Sequence, residues 1–429
     1  MATIPKLAST LQNLFTLDTE RIAKKCKFIR RQRKLSSTEF VQTLVFGWIN
    51  NPQATFDSFA PQLGVSAEAL RKRCTTAAHD LFKKLISHAL SQSISDSSDC
   101  PRLMKRFTAV IVEDCTTIPL PPDAAKNFPA SGGTKLDDNA AGMKLFLRWN
   151  ILSGEATHIS THSATTSDVV TANEADAEQP LLAGSLHIVD LGFFDSVRRR
   201  KMSDSNVFWL TRVKAGVHVQ TADGKWVVLA DWLQTLPKSG YDGPCVLGKT
   251  NGVACRIVAR RVPPEIAKKR RENLNKKSKK SGKPISDARW NQCDWQVLAT
   301  NLSNEYSYAD LYSLYRSRWQ IELLFRRCKQ RLGWSETHGR TEGRVVLEVL
   351  AKVLGAVVVL WGALLRGGPL GVIGHDRSYC VVIRCAEAIR VALRGCCALV
   401  QVLTDMATQL FQLRVPSRRK KKTTRQQLA

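Results

Sequence analysis

A change of hydrophobic period at Phe107 constrains this chain more than any other feature. Before it, apolar residues recur at helical spacing. After it, they fall into short runs bounded by Gly, Pro, Ser and Asp, which is the pattern of strands. Phe107 to Val112 reads as a compact strand ending at Glu113-Asp114, and Pro119, Pro121 and Pro122 then forbid regular structure. Residues 123–142 are polar and small and read as a loop. Met143 to Leu152 and Glu155 to Ser160 read as a hairpin turning at Ser153-Gly154. Val169 to Leu182 has helix composition. Leu186 to Val189 is a short strand ending at Asp190, Phe193 to Met202 a helix, and Val207 to Val213 another strand. Three strands, a helix, a strand, a helix and a strand describe a mixed α/β sheet.

The flanks differ. Residues 1–100 look helical, with a basic cluster from Lys24 to Lys34 ahead of the apolar run Phe40 to Ile49. Phe59 to Arg73 has the cadence of a helix-turn-helix: a short helix, a turn at Gly64, an N-cap at Ser66 and a second, basic helix. The same residues also fit an ordinary helical hairpin. Ser91 to Asp99 reads as a linker. After residue 214 short β-like pieces (Trp226 to Leu229, Cys245 to Leu247, Ala254 to Val258, Gln296 to Thr300) enclose a basic stretch, Lys268 to Lys283. This reads as a β-rich insertion with a flexible basic loop, whose near lack of acids favours phosphate contact over a merely solvated run. Tyr308 to Leu332, Arg344 to Leu365 and Tyr379 to Leu413 read as helices, Gly367 to Gly374 as a loop, and Arg418 to Arg425 as a basic, disordered tail. The expected regions are therefore 1–100, an N-terminal helical DNA-binding domain; 101–214, the first part of a catalytic core; 215–300, the insertion; 301–345, the second part of the core; and 346–429, a C-terminal helical region and tail.

Charge narrows the partner. Lys plus Arg total 64 against 37 Asp plus Glu, a net +27, and a surplus that large points to a polyanion, most simply nucleic acid. The first residues lack a cationic start followed by an apolar run, so no secretory signal is expected. Val353 to Leu365, the longest uncharged apolar stretch, is too short to span a bilayer and reads as a buried helix. The twelve cysteines form no Cys-x-x-Cys pair and read as reduced thiols of a cytoplasmic protein. His158 and His162 sit on a strand and are not expected to bind metal.

The candidate chemistry lies in three acids. Asp114 and Asp190 each close a strand, and ligands of open α/β sheets bind beyond strand carboxyl ends. Either could instead be a turn or capping residue. Glu113 rivals Asp114, but neighbouring strand residues face opposite ways, so only one can join a site. The third acid is in the run Tyr315-Arg316-Ser317-Arg318-Trp319-Gln320-Ile321-Glu322-Leu323-Leu324-Phe325-Arg326-Arg327-Cys328-Lys329. At about 100° per residue, Tyr315, Arg318, Glu322 and Lys329 share one stripe beside an apolar sector of Leu314, Ile321, Leu324, Phe325, Cys328 and Leu332. A plain Arg318–Glu322 surface pair leaves Tyr315 and Lys329 unexplained. Phosphodiester cleavage by an oxygen nucleophile uses two divalent cations about 4 Å apart, and three carboxylates can hold a magnesium pair. Arg318 and Lys329 could then hold phosphates, and Tyr315 could donate a hydrogen bond to one.

With these residues in hand, the chain resembles the DDE transposases of bacterial insertion sequences, specifically the insertion-sequence-4 family with its Tyr-x2-Arg-x3-Glu-x6-Lys signature. Tyr315, Arg318, Glu322 and Lys329 match at every position. The resemblance extends to Asp114-Cys115-Thr116, the Lys144-Leu145 strand with Gly154 in its hairpin, Asp168 before a helix, and Asp190-Leu191-Gly192-Phe193-Phe194, about residues 105–335 in all. Cys115 stands where a small residue is expected. The resemblance implies an RNase H-like catalytic core in an α/β chain, with a β-rich insertion between the second Asp and the Glu and helical regions at both ends. It implies that Asp114, Asp190 and Glu322 bind two Mg²⁺ ions, with Mn²⁺ able to substitute, and that Tyr315, Arg318 and Lys329 contact the end DNA. It further implies hydrolysis at each element end and strand transfer into target DNA, in well-studied members through a hairpin intermediate. An insertion aromatic stacks on a flipped base in such members. Trp290 and Trp295 are candidates here, and each also suits a core.

The expected partners are terminal-repeat and target DNA and a second copy of the chain, with no membrane and a place at the bacterial nucleoid. The alternative reading is a catalytically inactive or domesticated sequence-specific DNA-binding protein, which needs no acid triad. A nuclease that cuts without joining would share the same metal site.

Overall fold

The computed structural model describes residues 3–29, 35–92, 94, 100–130, 140–221, 223–366, 375–395, 397–413 and 424–428. Much of the basic cluster at 30–34, the linker around 95–99, the glycine loop at 367–374 and most of the basic tail lie outside the described residues. Among the described residues ten strands form, in chain order β1 (Val110–Leu120), β2 (Ala141–Asn150), β3 (Glu155–Ser163), β4 (Leu186–Val189), β5 (Phe208–Arg212), β6 (His218–Gln220), β7 (Trp226–Val228), β8 (Tyr241–Leu247), β9 (Val253–Arg261) and β10 (Trp295–Thr300). The chain divides into two compact units. The first holds residues 1–101, 114–167 and 319–427, and the second 102–113 and 168–318 with the last two residues.

In the second unit the strands follow the order β1-β4-β5-β10-β9-β8-β6-β7, with the first four residues of β1 at one edge. β1, β4 and β5 run parallel. From β5 outward the pairing is antiparallel. All four residues of β4 are buried, as strands covered on both faces require. The segment read as an insertion therefore continues this unit's sheet through β10, which pairs with both β5 and β9. Trp209, Leu229, Leu247, Ile257, Trp295 and Val297 share its core. The basic stretch is not a loop. Pro264–Ser281 is an 18-residue helix with Pro in its first turn and Gly282 in the left-handed region (φ 66°) at its end, the start and stop such a sequence should have.

In the first unit β2 and β3 form the antiparallel hairpin read from the sequence, with a bulge at Arg148/Trp149. Helices Ser37–Asn50 and Thr76–Leu90 pack on a third, Glu342–Leu364. The first of them opens on a reciprocal capping box between Ser36 and Glu39. The helix-turn-helix cadence is present in reduced form: Phe56–Phe59, a left-handed Gly64 (φ 61°), a Ser66 cap, then only Ala67–Arg71. Arg71 is bound by Asp57 at 2.5 Å and lies 3.7 Å from Glu68. The long C-terminal helix resolves into His375–Arg384, Ala386–Leu393 and Leu399–Gln412.

Glu342–Leu364 is long and apolar enough to cross a membrane, yet its most apolar window is wholly buried. It is a core helix, apolar on all sides because every side is covered. It carries two buried charges. Lys352 Nζ donates to Glu348 Oε1 at 2.8 Å, to the Glu336 carbonyl at 2.7 Å and to the Gly333 carbonyl at 3.1 Å. Glu348 also accepts from the backbone N–H groups of His338 and Gly339. Removing one partner of such a pair strands the other. Lys352→Met is expected to lower unfolding free energy by about 3–5 kcal/mol, and adding Glu348→Gln to recover much of it, as read by urea denaturation.

Candidate active site

The pairing of three parallel strands, β1, β4 and β5, stops in step. Glu113 pairs with Val189, and Val189 with Thr211. The next residues along the three strands are Asp114, Asp190 and Arg212. Sequence reading placed Asp114 at a strand end, whereas β1 continues to Leu120. Its parallel pairing with β4 stops at Glu113 all the same. Pro119 is compatible with the longer strand because it falls at an exposed position of the alternation.

Glu113 and Asp114 differ in burial. Glu113 is fully enclosed. Arg198 donates to both its oxygens at 2.9 Å, and His187 Nε2 lies 2.9 Å from Oε2. Arg198 also donates to both oxygens of Asp176, at 2.6 and 3.1 Å. Burial would weaken the Arg198 cation, but Glu113 and Asp176 outweigh it and raise its pKa. His187 Nδ1 lies 2.8 Å from Arg199 Nη1. Because arginine only donates, Nδ1 must be the acceptor, and the ring is neutral with its proton on Nε2. Burial accordingly lowers the His187 pKa to about 4. Asp114, next along the strand, faces the other way. It is half-buried and accepts from the Cys115 N–H at 2.8 Å.

Asp190 is half-buried at the end of β4. Burial pushes its carboxyl pKa up. The Leu191 backbone N–H, the Arg318 charge, the Tyr315 hydroxyl and the Arg212 charge outweigh that and hold it below the usual range. Tyr315 donates to Asp190 Oδ1 at 3.0 Å. Its own pKa is raised, by burial first and the Asp190 charge second, so it remains a donor at neutral pH. Gly192 leaves room for a carboxylate: a Cβ there would come within 2.9 Å of Asp168 Oδ2.

The Glu322 segment is two helices, not one. Tyr308–Ser317 ends where Ser317 Oγ bonds back to the Leu314 carbonyl at 2.6 Å, and Trp319–Arg331 follows. Such back-bonding from a serine hydroxyl bends helices. In the first unit, Glu322 and Lys329 are both half-buried and two turns apart on one face of Trp319–Arg331. Ile321, Leu324, Phe325 and Cys328 fill the buried sector as read. The structure thus brings together Asp190, Tyr315, Arg318 and Arg212. Among the described residues, no group of three or more His, Cys, Asp or Glu side chains forms a ready metal cage.

Sequence reasoning missed Arg212 and the Glu113–Arg198–Asp176–His187 network. Arg212 carried a signal, an arginine ending an apolar strand as Asp190 ends its own. The network carried little, since its members lie up to 85 residues apart. Of the two tryptophan candidates, Trp295 is buried in the core and is corrected to a packing residue. Trp290 is 37% exposed, with the Arg271 guanidinium 5.4 Å from its ring centre. His162 Nε2 is hydrogen-bonded to Ser160 and His158 packs on Phe146.

The chain is a mixed α/β protein with a large sheet and flanking helices, and Asp190 and Arg212 stand at neighbouring strand ends. Residues 105–358 match the Transposase DDE domain, and the chain belongs to that family, whose members are enzymes of DNA transposition that use divalent metal ions. Among individual proteins it is similar to the transposase for insertion sequence element IS231E of Bacillus thuringiensis subsp. finitimus, 23% identical over 74% of this chain and 71% of that one. It is similar to the transposase for insertion sequence element IS1151 of Clostridium perfringens, 23% identical over 75% and 72%. A piggyBac transposase synaptic complex with hairpin DNA aligns over 96% of this chain and 87% of that one, with 10% identity and a TM-score of 0.44.

The neutral His187 makes a pH prediction. Its folded pKa, about 4, lies below the ordinary histidine value of 6.5. The unfolded chain therefore binds more protons across that window, and stability rises with pH through it. Acidifying from pH 6.5 toward 4 is expected to lower the thermal midpoint, and His187→Asn to flatten that part of the decline. Histidine ring resonances should report His187 as neutral down to about pH 4.

Proposed function

We propose that Asp114, Asp190 and Glu322 form the catalytic triad of an RNase H-like core and together hold two Mg²⁺ ions, with Mn²⁺ able to replace them. The observation that carries this reading is the Asp190 carboxylate, kept ionised by Leu191, Arg318, Tyr315 and Arg212. The donor chemistry fits the metal: all three side chains offer oxygen only, which suits a hard divalent cation. When bound, such ions activate an attacking oxygen and stabilise the leaving 3′ oxygen of a phosphodiester.

The chain's own residues do the rest. Tyr315 fixes Asp190 Oδ1 and so the direction in which the carboxylate's lone pairs point. Arg212 and Arg318 keep that carboxylate charged. Arg318 and Lys329 contact the phosphates of the element's terminal DNA, Tyr315 borders that DNA beside Arg318 while its single proton stays on Asp190, and Trp290, the exposed one of the two candidate tryptophans, is available to stack on an unpaired base. The reaction cuts at the terminal repeats and joins the freed 3′ ends to target DNA. Since two ends must be handled together, the active form is a dimer on DNA. The N-terminal helical region, 1–100, supplies further DNA contact.

The test is cleavage of a plasmid carrying the gene with its native flanks. Asp114→Asn, Asp190→Asn and Glu322→Gln are each expected to lose about 10³-fold or more in cleavage rate while still binding the flanks, a loss of about 4 kcal/mol in barrier terms. Tyr315→Phe, which removes one hydrogen bond to a charged group, is expected to lose roughly 10- to 100-fold. Wild-type binding without any metal-dependent break would favour the inactive DNA-binding alternative. Scattered breaks lost in Glu322→Gln would favour a nuclease.

A further inference from the structure

The helix Pro264–Ser281 packs by one face only. At about 100° per residue, Ala267, Arg270, Arg271, Leu274 and Ser278 share that face, and these are its buried or half-buried positions. Two arginines anchor it. Arg270 donates to the Trp295 carbonyl and to Gln296 Oε1, each at 2.8 Å. Arg271 donates to Asp294 at 2.6 Å. The far end is also tied down: Gly282 N–H bonds the Ser278 carbonyl, and Ser278 Oγ bonds the Lys283 carbonyl at 2.7 Å.

The other cations do no such anchoring. Lys268, Lys269, Lys276, Lys279 and Lys280 spread across the opposite half of the helix, with Lys277 at its margin and Lys283 just past the cap. All seven are exposed, and none makes a side-chain ion pair or hydrogen bond among the described residues. The helix carries only two acids, Glu265 and Glu272. Lys279 and Lys280 suit the negative end of the helix dipole, which accounts for two of the seven. Lys268 and Lys269 stand three or four residues from Glu265 and Glu272, but Lys276 and Lys277 bring like charges three and four residues from Lys279 and Lys280, and such pairs oppose the helix. A solvated face gains nothing from that second cluster, and a mixed-sign surface would serve solubility as well.

We infer that this lysine face is a docking surface for the phosphate backbone of duplex DNA, read without regard to sequence. The inference rests on the DNA-processing activity above and adds a contact outside the proposed acid site. Complementary charge favours this partner: Lys269 to Lys280 covers about 16 Å of helix, and duplex DNA carries a phosphate charge every 1.7 Å or so of its axis. Ammonium groups without planar donors suit point-charge contact with phosphate, not recognition of bases.

The test titrates the full chain into a short duplex of arbitrary sequence between about 50 and 200 mM salt. In K276Q/K277Q/K279Q/K280Q the slope of log affinity against log salt should be shallower than wild type by about 3–4. Wild type should then lose about 100-fold more affinity than the variant across that range. The four Lys→Arg replacements should keep the wild-type slope, which separates charge from helix damage. An unchanged slope in the Gln variant would overturn the inference. So would loss of binding to phosphatidylserine–phosphatidylcholine vesicles with the DNA slope intact, which would make the face a membrane contact. Plasmid cleavage by wild type with an unchanged slope would sink the lysine face alone. A shallower slope without cleavage by wild type would sink the acid-site reading and leave the lysine face standing.

Discussion

The bond between Glu113 and Arg198 is the interaction on which the second unit depends. A carboxylate with no solvent exposure is tolerable only if paired and hydrogen-bonded. Here one guanidinium grips it with two parallel bonds and grips Asp176 as well. That single side chain ties the start of β1 to the helix Ser196–Asp204, which carries Arg198, and to Asp168–Glu178, which carries Asp176. The neighbouring Arg199 is buried too, and burial together with the Arg198 charge lowers its pKa to about 9. It is accommodated by a neutral His187 and the Phe193 carbonyl.

Two kinds of carboxylate environment sit a few residues apart along these strands. Glu113 is spent on structure: its charge is cancelled inside the unit and cannot reach a ligand. Asp190 is left half-exposed and surrounded by an N–H, a phenol and two guanidiniums. The contrast follows from strand alternation and from which helix covers which face. It leaves Asp190, unlike Glu113, ionised within reach of solvent at the end of its strand.

Much of this was legible in advance, for identifiable reasons. β4 was read to the residue because Leu186, Ile188 and Val189 form a short apolar run between turn signals at Gly184 and Asp190-Leu191-Gly192. The β2–β3 hairpin was announced by Ser153-Gly154. The apolar sector of Trp319–Arg331 followed from helical spacing. Other features were hidden. The extension of β1 past Asp114 was masked by Pro119, which a sequence rule treats as a stop and an exposed strand position does not. The lysine helix looked like a loop because its packing face holds arginines where a pattern search wants leucines. The break at Ser317 comes from a hydroxyl turning back on its own helix, which periodicity cannot register. The network around Glu113 joins segments far apart in sequence, and no local pattern encodes such a meeting.

The core helix Glu342–Leu364 has a consequence for synthesis. Its packing partners, Ser37–Asn50 and Thr76–Leu90, leave the ribosome some 250 residues earlier. At roughly 5–20 residues per second they wait about ten seconds to nearly a minute for the surface that covers them. Throughout that interval the nascent first unit lacks its central element, and the early aromatics Phe40, Phe46, Trp48 and Phe82 have only one another and near neighbours such as Phe15, Phe28, Phe56 and Phe59 to pack on. Translation speed therefore sets how long that apolar surface stays uncovered on the nascent chain.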